Sequence, residues 1–528
     1  MGVGAAAIMA GPAAAESWTV TNLNDSGSGS LRQALNSINL SPDVFSTVVF
    51  QSGLTGDINL QSPLVIFHPV AITGPGADKI ALNGGGTQQI FAANETGITP
   101  PFTLTIADLT LKGGHSSTAG DQGGAIHSVE TDLTLARDVI SGNSTTVYGG
   151  AIYAEQGGSL KIKDTTFSNN SSQYGGALAA IGLPVKIDST TFSGNTASHA
   201  AGAILLPELA GDTSLDVTNS TFTGNSTATD SSTVGGWGFG GAIAGLESVG
   251  TASINLKSST ISGNTAASGG GIGGYFTSAT VANTIVGGNQ AGAGPDINST
   301  FKNPNVPASP TVHTAFDSSF SLIGNTSAAM INDAVAGSNV TGVSPALGPL
   351  ADNGGFTKTM QPADTSPVVN KGSTDLLVDQ RALVRPVDFN SIPFSTAAGA
   401  NGADIGAVEL QGGPLPPSCQ TDPSLCPPPS NKFSFGKVKL DKKKGMATVQ
   451  VKVPGAGKVL LAGSKTVKKA SATARAKATL KIKVKAKGKA AKALKKKGKA
   501  KVKAKFTFTP NGGTAAGKSR TIKLIRKK

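Results

Sequence analysis

Hydrolysis of a glycan on an extended chain needs two carboxylates on one face, one to donate and one to accept a proton. A lyase instead needs an Asp/Glu calcium cage beside a base. Neither set stands out in these 528 residues. Between 101 and 300 the one arginine is Arg137. Aligning the repeats of that stretch brings Asp164, Ser189, Asn219 and Ser258 to one position, a polar ladder with a single carboxylate. Asp188 falls one residue earlier. Glu208, Asp212, Asp230 and Glu247 sit in insertions, and no spacing forces them together. His68, His115, His127, His199 and His313 are scattered, with no two at metal-ligand spacing, and read as solvated or packed side chains. The paired glycines lack the Lys-Ser/Thr of a phosphate cradle. No catalytic, cofactor or metal residue is assigned on these grounds.

The glycines belong to a repeat. Gly123-Gly124-Ala125-Ile126 recurs as Gly149-Gly150-Ala151-Ile152, Gly175-Gly176-Ala177-Leu178, Ala201-Gly202-Ala203-Ile204, Gly240-Gly241-Ala242-Ile243 and Gly270-Gly271-Ile272. Gly124, Gly150, Gly176 and Gly202 are 26 residues apart, and the following intervals of 39 and 29, counted at Ile204, Ile243 and Ile272, imply insertions. A second motif alternates with the first: Ile140 to Asn143, Phe167 to Asn170, Phe192 to Asn195, Phe222 to Asn225, Ile261 to Asn264, and a degenerate copy ending at Asn289. Alternating segments such as Leu160-Lys-Ile-Lys lie between. One unit supplies about three short strands and cannot bury its apolar face alone, so stacking must do it. Each coil would advance about 4.8 Å. Asn at a fixed corner tolerates left-handed backbone and bonds to its copy in the next coil. No 3.6-residue period runs through the units, and β-propeller blades are longer, about 40–50 residues. The expected fold is all-β: a right-handed parallel β-helix with a short N-terminal capping helix and a small C-terminal β-sandwich.

Composition agrees, with 69 glycines and 5% aromatics. The net charge of +14 hides a division. Asn431 to Lys528 holds 32 of the 45 Lys+Arg and one of the 31 Asp+Glu, Asp441, for +31. The first 430 residues are left with 13 basic and 30 acidic residues, or −17.

Residues 1–15 are small and apolar and end in Ala-x-Ala before Glu16, as a truncated secretory leader would. Residues 16–100 hold the cap and first coils, with a helix expected from Leu31, and 101–300 hold the clear repeats. The stretch 301–411 ends the solenoid, and 412–430 is a spacer with seven prolines. In it Cys419 and Cys426 lack the further ligands of a zinc site; they form a local disulfide or stay two free thiols. Within 431–528, Thr479-Leu-Lys-Ile-Lys-Val-Lys and Lys501-Val-Lys-Ala-Lys-Phe alternate strictly, giving one lysine face and one apolar face.

The GGAI and FxxN motifs resemble those of the polymorphic outer membrane protein family. Ser17-Trp-Thr-Val-Thr-Asn-Leu-Asn-Asp-Ser-Gly-Ser-Gly-Ser-Leu-Arg-Gln-Ala-Leu is similar to the CSLREA-type segment of secreted bacterial β-helix proteins, without its Cys. Leu347-Gly-Pro-Leu-Ala-Asp-Asn-Gly-Gly-Phe, Asp379-Gln-Arg381, Arg385-Pro386 and Asp404-Ile-Gly-Ala-Val-Glu409 resemble the choice-of-anchor Q domain. The Lys-rich end is similar in composition to C-terminal domains of exported proteins of some high-GC bacteria. No autotransporter-type β-barrel is expected after the repeats, a departure from the first family. The resemblance implies a structural role for Asp379, Arg381, Arg385, Asp404 and Glu409, as ion pairs closing the C-terminal end of the solenoid. It implies a secreted or cell-surface, adhesin-like protein that binds glycan or protein. The basic end would hold an envelope polyanion, with nucleic acid the less expected partner. The alternative is a secreted polysaccharide lyase or hydrolase on the pectin-lyase-like fold.

Overall fold

The computed structural model describes residues 16–40, 45–94, 101–116, 122–207, 211–234, 237–246, 251–304, 311–387, 392–411, 431–453, 457–474, 478–510 and 515–526. Residues 1–15, the Pro-rich stretch with Cys419 and Cys426, and Glu208 and Glu247 lie outside them. By contacts the chain divides into Met1–Thr374 with Asp379–Arg381 and Asp388–Leu410, and a second unit of Asp375–Val378, Ala382–Val387 and Gln411–Lys528.

The first unit is a parallel β-solenoid, and one coil shows how sequence makes it. Ile152–Lys163 is a long strand. Its first half pairs in parallel with Leu178–Ile181, and its second half with Pro184–Asp188. Alternation buries Leu160 and Ile162 and leaves Lys161 and Lys163 exposed. Asp164 turns the chain with φ 50°, Thr166–Ser168 forms the second face, and Asn169 turns again with φ 54°. Ser171–Tyr174 follows, and Gly175 at φ 69° starts the next coil. Among the described residues the broad face stacks 18 strands and the second face 11. Stacking buries one core along the axis, including Leu111, Ile140, Phe167, Phe192, Phe222 and Ile261, all 0% exposed.

Helix α1, Leu31–Ile38, closes the start. Ser30 caps it by accepting from the Gln33 N–H, and Gln33 Oε1 accepts from the Gly29 N–H, a reciprocal cap. Leu31, Ala34, Leu35 and Ile38 sit on one face and enter the main core. Asn39 completes the edge strand Leu64–Ile66: its Nδ2 donates to Val65 O at 2.8 Å and its Oδ1 accepts from Phe67 N at 3.0 Å. An edge that would template further pairing is thereby covered.

In the second unit, Ser434–Asp441, Met446–Val453 and Ala478–Lys485 form one antiparallel sheet. Gly457–Leu461, Ala470–Ala474, Lys499–Pro510 and Ala516–Ile525 form another. One apolar cluster draws on both sheets, from Val449 and Val451 to Phe506 and Phe508. The short element between the alternating strands is helix α2, Gly488–Lys497. It ends at Gly498 with φ 65°, and Lys495, Lys496 and Lys497 face its negative dipole end.

Candidate functional site

The repeat residues form three columns. At Gly124, Gly150, Gly176, Gly202 and Gly241 an added Cβ would lie 2.1–2.5 Å from a carbonyl oxygen of the next coil, so only glycine lets the coils close up. Gly271 departs from expectation. Ile272 pairs with Ile243, which puts Gly269 and Gly270 in the paired-glycine column and Gly271 in the alanine column. The extra glycine shifted the sequence alignment by one.

The asparagines form a buried ladder. Asn143 Nδ2 donates to Asn170 Oδ1, and the same bond runs from Asn170 to Asn195, to Asn225, to Asn264 and to Asn289, each at 2.9 Å. Each Oδ1 also accepts the backbone N–H of the preceding rung, and each Nδ2 also donates to a carbonyl such as Phe167 O. Asp296 ends the ladder, accepting from both Asn289 N and Nδ2. Its other oxygen accepts from Asn325 N at 2.7 Å, so both carboxylate oxygens are used. Beside the ladder, Phe167, Phe192 and Phe222 stack with centroids 4.7 and 4.8 Å apart and planes within 6°. The coil spacing sets that separation.

The corner column that holds Asp164, Ser189, Asn219 and Ser258 extends through Asp108, Arg137 and Asn283, all with φ between 47° and 59°. Arg137 pairs with Asp108 through two hydrogen bonds. The next column is a hydroxyl ladder, in which Thr165, Thr190, Ser220, Ser259 and Thr284 each accept an N–H from the coil before. Asp138 starts that column, and burial raises its pKa well above its ordinary value. Burial also raises Asp164, to about 6, against the attraction of Lys163.

Asp164→Asn is therefore expected to stabilise the solenoid at pH 7 by about 1 kcal/mol, a figure discounted for partial exposure. A raised folded pKa means the carboxyl contributes stability below its unfolded pKa of about 3.9 and loses it as pH rises through about 6. The gain from the neutral amide should thus vanish near pH 4. Asn219 and Asn283 already hold this turn at φ 47° and 49°. Urea midpoints at both pH values check it, and equal midpoints at pH 7 would reject it.

The charged residues expected at the end of the solenoid sit elsewhere. The first-unit parts of the segment 347–410, which are 347–374, 379–381 and 392–410, run back along the second face. Thr357 Oγ1 donates to Ser189 O, Thr191 Oγ1 to Lys358 O, and Thr221 Oγ1 to Gln380 Oε1. Ala407 N reaches Thr260 Oγ1, and Asn283 Nδ2 reaches Asp404 O. Thr191, Thr221 and Thr260 are buried by it, whereas Thr166 in the same column is half-buried. Within the segment Arg381 makes two bonds to Asp379 Oδ2, at 3.0 and 2.7 Å, and one to Glu409 O at 2.6 Å. Glu409 Oε2 accepts from Asp404 N, and Asp404 accepts from Asn370 N and Leu410 N. Arg385, assigned to the second unit, is fully buried. This is a lateral strap, not an end cap. Its partners are 120 to 190 residues away in sequence, which the repeat period does not encode.

Sequence reasoning missed an aromatic cluster outside the main core. His127 and Tyr153 pair across adjacent coils, with centroids 5.5 Å apart. Tyr148 stacks on Tyr153 at 5.9 Å and on Tyr174 at 5.3 Å. Tyr174 continues to His199 and to Trp237, at 5.0 and 5.3 Å. Glu155 accepts from the Tyr153 hydroxyl at 3.1 Å and lies 3.2 Å from His127 Nε2. The bond to His127 holds the Glu155 carboxyl below its usual pKa despite burial. Burial raises the Tyr148 and Tyr153 phenols and takes Tyr174 to about 12, and it lowers His199. The glycine period held the clue, because Tyr148 and Tyr174 are 26 residues apart, as are His127 and Tyr153. Trp237 gave no such signal, since it arrives on the 39-residue unit.

Among the described residues no group of three or more His, Cys, Asp or Glu is placed to hold a metal ion. No helix among them is long and apolar enough to cross a membrane. The repeat model of the Chlamydia polymorphic membrane protein (Chlamydia_PMP) matches residues 139–155 and 164–181. No curated protein matches the chain. The matched residues are two successive coils at the start of the asparagine ladder, so the chain carries a parallel β-solenoid with repeats like those of the polymorphic membrane proteins.

Proposed function

We propose that this is an exported surface protein whose solenoid is displayed for binding while its lysine-rich end holds it to an anionic envelope polymer. One observation carries the reading. Lys501 lies directly opposite Lys523 across paired strands, and both are exposed. Like charges so placed repel, and Asp441 is the one acid in 431–528 that could offset them. Lys481, Lys483, Lys485, Lys503 and Lys505 extend the exposed basic surface. A polyanion would relieve that repulsion and release counterions. The two antiparallel sheets would enclose their cluster as a sandwich. The polymorphic membrane protein likeness supports surface placement, and the choice-of-anchor and CSLREA likenesses and the Ala-x-Ala leader agree with export.

Cell fractionation in a salt series tests this. The full chain should leave the envelope fraction as sodium chloride rises from about 0.1 to 1 M, since each neutralised phosphate adds to the salt slope. A chain lacking 431–528 should appear in the medium at low salt. Retention in molar salt, or retention of the shortened chain, overturns the reading.

A polysaccharide lyase or hydrolase is the second reading. Asp164, titrating near 6 beside Asp188 and Arg137, favours it. Turnover of an acidic or neutral glycan that Asp164→Asn abolishes would establish it.

A further inference from the structure

We infer that the exposed face of the strand Lys499–Pro510 is a track for a linear polyol phosphate, with one phosphate to each lysine. This rests on the reading that the basic unit holds an envelope polyanion, and it names the polymer and the place. Alternation along the strand buries Val502, Ala504 and Phe506 and leaves Lys499, Lys501, Lys503 and Lys505 exposed in one row. The neighbouring strands add more donors. Lys523, Thr521 and Ser519 stand opposite Lys501, Lys503 and Lys505, and all three are exposed. Thr507 and Thr509 continue the row, and exposed Lys458 pairs with Thr509. Asp441, the one acid of 431–528, belongs to the other sheet, in line with Met446 and Lys485. The strip is therefore cations and hydroxyls, with no carboxylate among its own residues.

Spacing selects the ligand. Two residues of strand are six main-chain bonds, so successive lysines of the row lie about 6.8 Å apart. A glycerol phosphate polymer also has six main-chain bonds from one phosphorus to the next. Three bonds of extended chain span about 3.3–3.6 Å, so its phosphates fall about 7 Å apart. Four lysines can thus meet four consecutive phosphates over about 20 Å. The row holds no arginine, the residue that bidentate recognition of a planar carboxylate favours. An ammonium is a compact charge with three rotating donors, which a diester phosphate can meet from any side.

Other polyanions match the row less well. A polyuronate carries one carboxylate per ring on alternating sides, so a flat row reaches every second one. Duplex nucleic acid winds its phosphates away from a line, at about 3.4 Å per phosphate along each strand. Single-stranded nucleic acid has a suitable repeat but binds by stacking its bases on aromatic side chains. Phe506 and Phe508 of this strand are 0% exposed and offer no such platform.

The test is fluorescence-anisotropy titration of the full chain with three end-labelled polymers of equal charge: poly(glycerol phosphate), polygalacturonate and oligo(dT). The polyol phosphate should bind at least about tenfold more tightly than either of the others. Its affinity should fall with salt at a slope of about −3 on logarithmic axes, the counterion release of four phosphates on a single chain. Lys501→Gln with Lys503→Gln should weaken it about tenfold and bring the slope to about −1.5. Lys489→Gln with Lys492→Gln takes the same charge from helix α2 and should cost less than about threefold. Lys503→Thr with Thr521→Lys keeps the charge of the face but breaks the row, and should weaken binding about fivefold. This exchanged pair decides the matter if the Lys501 and Lys503 variant has a lowered melting temperature. Equal affinity for the three polymers, or equal loss from the two glutamine pairs, would mean diffuse attraction and overturns the inference. Tighter binding of oligo(dT) overturns it in favour of nucleic acid. Salt-sensitive envelope retention with no preference among the polymers sinks this inference alone. Retention in molar salt, with the preference intact in solution, sinks only the anchoring reading.

Discussion

Asn195→Ala is expected to cost about 3–5 kcal/mol and to split the solenoid's unfolding into two transitions. The substitution strips Asn170 N and Nδ2 of their shared acceptor, Phe167 O of a donor, and Asn225 Oδ1 of one of its two donors. These groups are buried, and each orphaned one costs about 1–3 kcal/mol. No water replaces them cheaply, because Asn170, Asn195 and Asn225 are 0% exposed. Contacts in a solenoid are between neighbours, so a broken rung uncouples the coils on its two sides. Hydrogen exchange should show the amides of 167–170 and 192–195 losing protection first. Urea melts read by two probes, one on each side of the rung, would measure the rest. A single transition shifted by less than about 1 kcal/mol would show that the ladder is not a coupling element.

Arg381→Ala should be nearly as damaging, by about 3–5 kcal/mol, through a different mechanism. Arg381 and Asp379 are 3% and 0% exposed, so the arginine's removal breaks a buried ion pair and two of its hydrogen bonds. Glu409 O loses its donor as well. The damage should stay with the strap. Limited proteolysis should cut within 347–410 first while 101–300 survives, because the coils keep their own core. Thr191 and Thr221 would lose Gln380 and face water, where hydroxyls are readily satisfied. Cleavage that begins in the coils would mean that the strap is needed for solenoid stability.

Much of the solenoid was written in the residues themselves. Glycine at Gly150 and Gly176 and asparagine at Asn170 and Asn195 sit one coil apart and are the residue types their columns require, while Phe167 and Phe192 share a column that takes any large apolar side chain. The column's constraint repeats whenever the coil does, so the period exposes the fold. The helix at Leu31 and the lysine-faced strands are legible for the same reason, since their contacts have the period of the local backbone. Only the tertiary structure decided the rest. It moved Gly271 to the alanine column, because register is set by the pairing of Ile272 with Ile243 and not by counting glycines. It laid Asp379, Arg381, Asp404 and Glu409 along the flank, because a strap's partners lie far off in sequence and obey no repeat. It also gathered Tyr148, Tyr153, Tyr174 and Trp237 into one cluster. The tyrosines follow the coil period, but Trp237 reaches them from an insertion, and where an insertion folds is settled by the surface it finds.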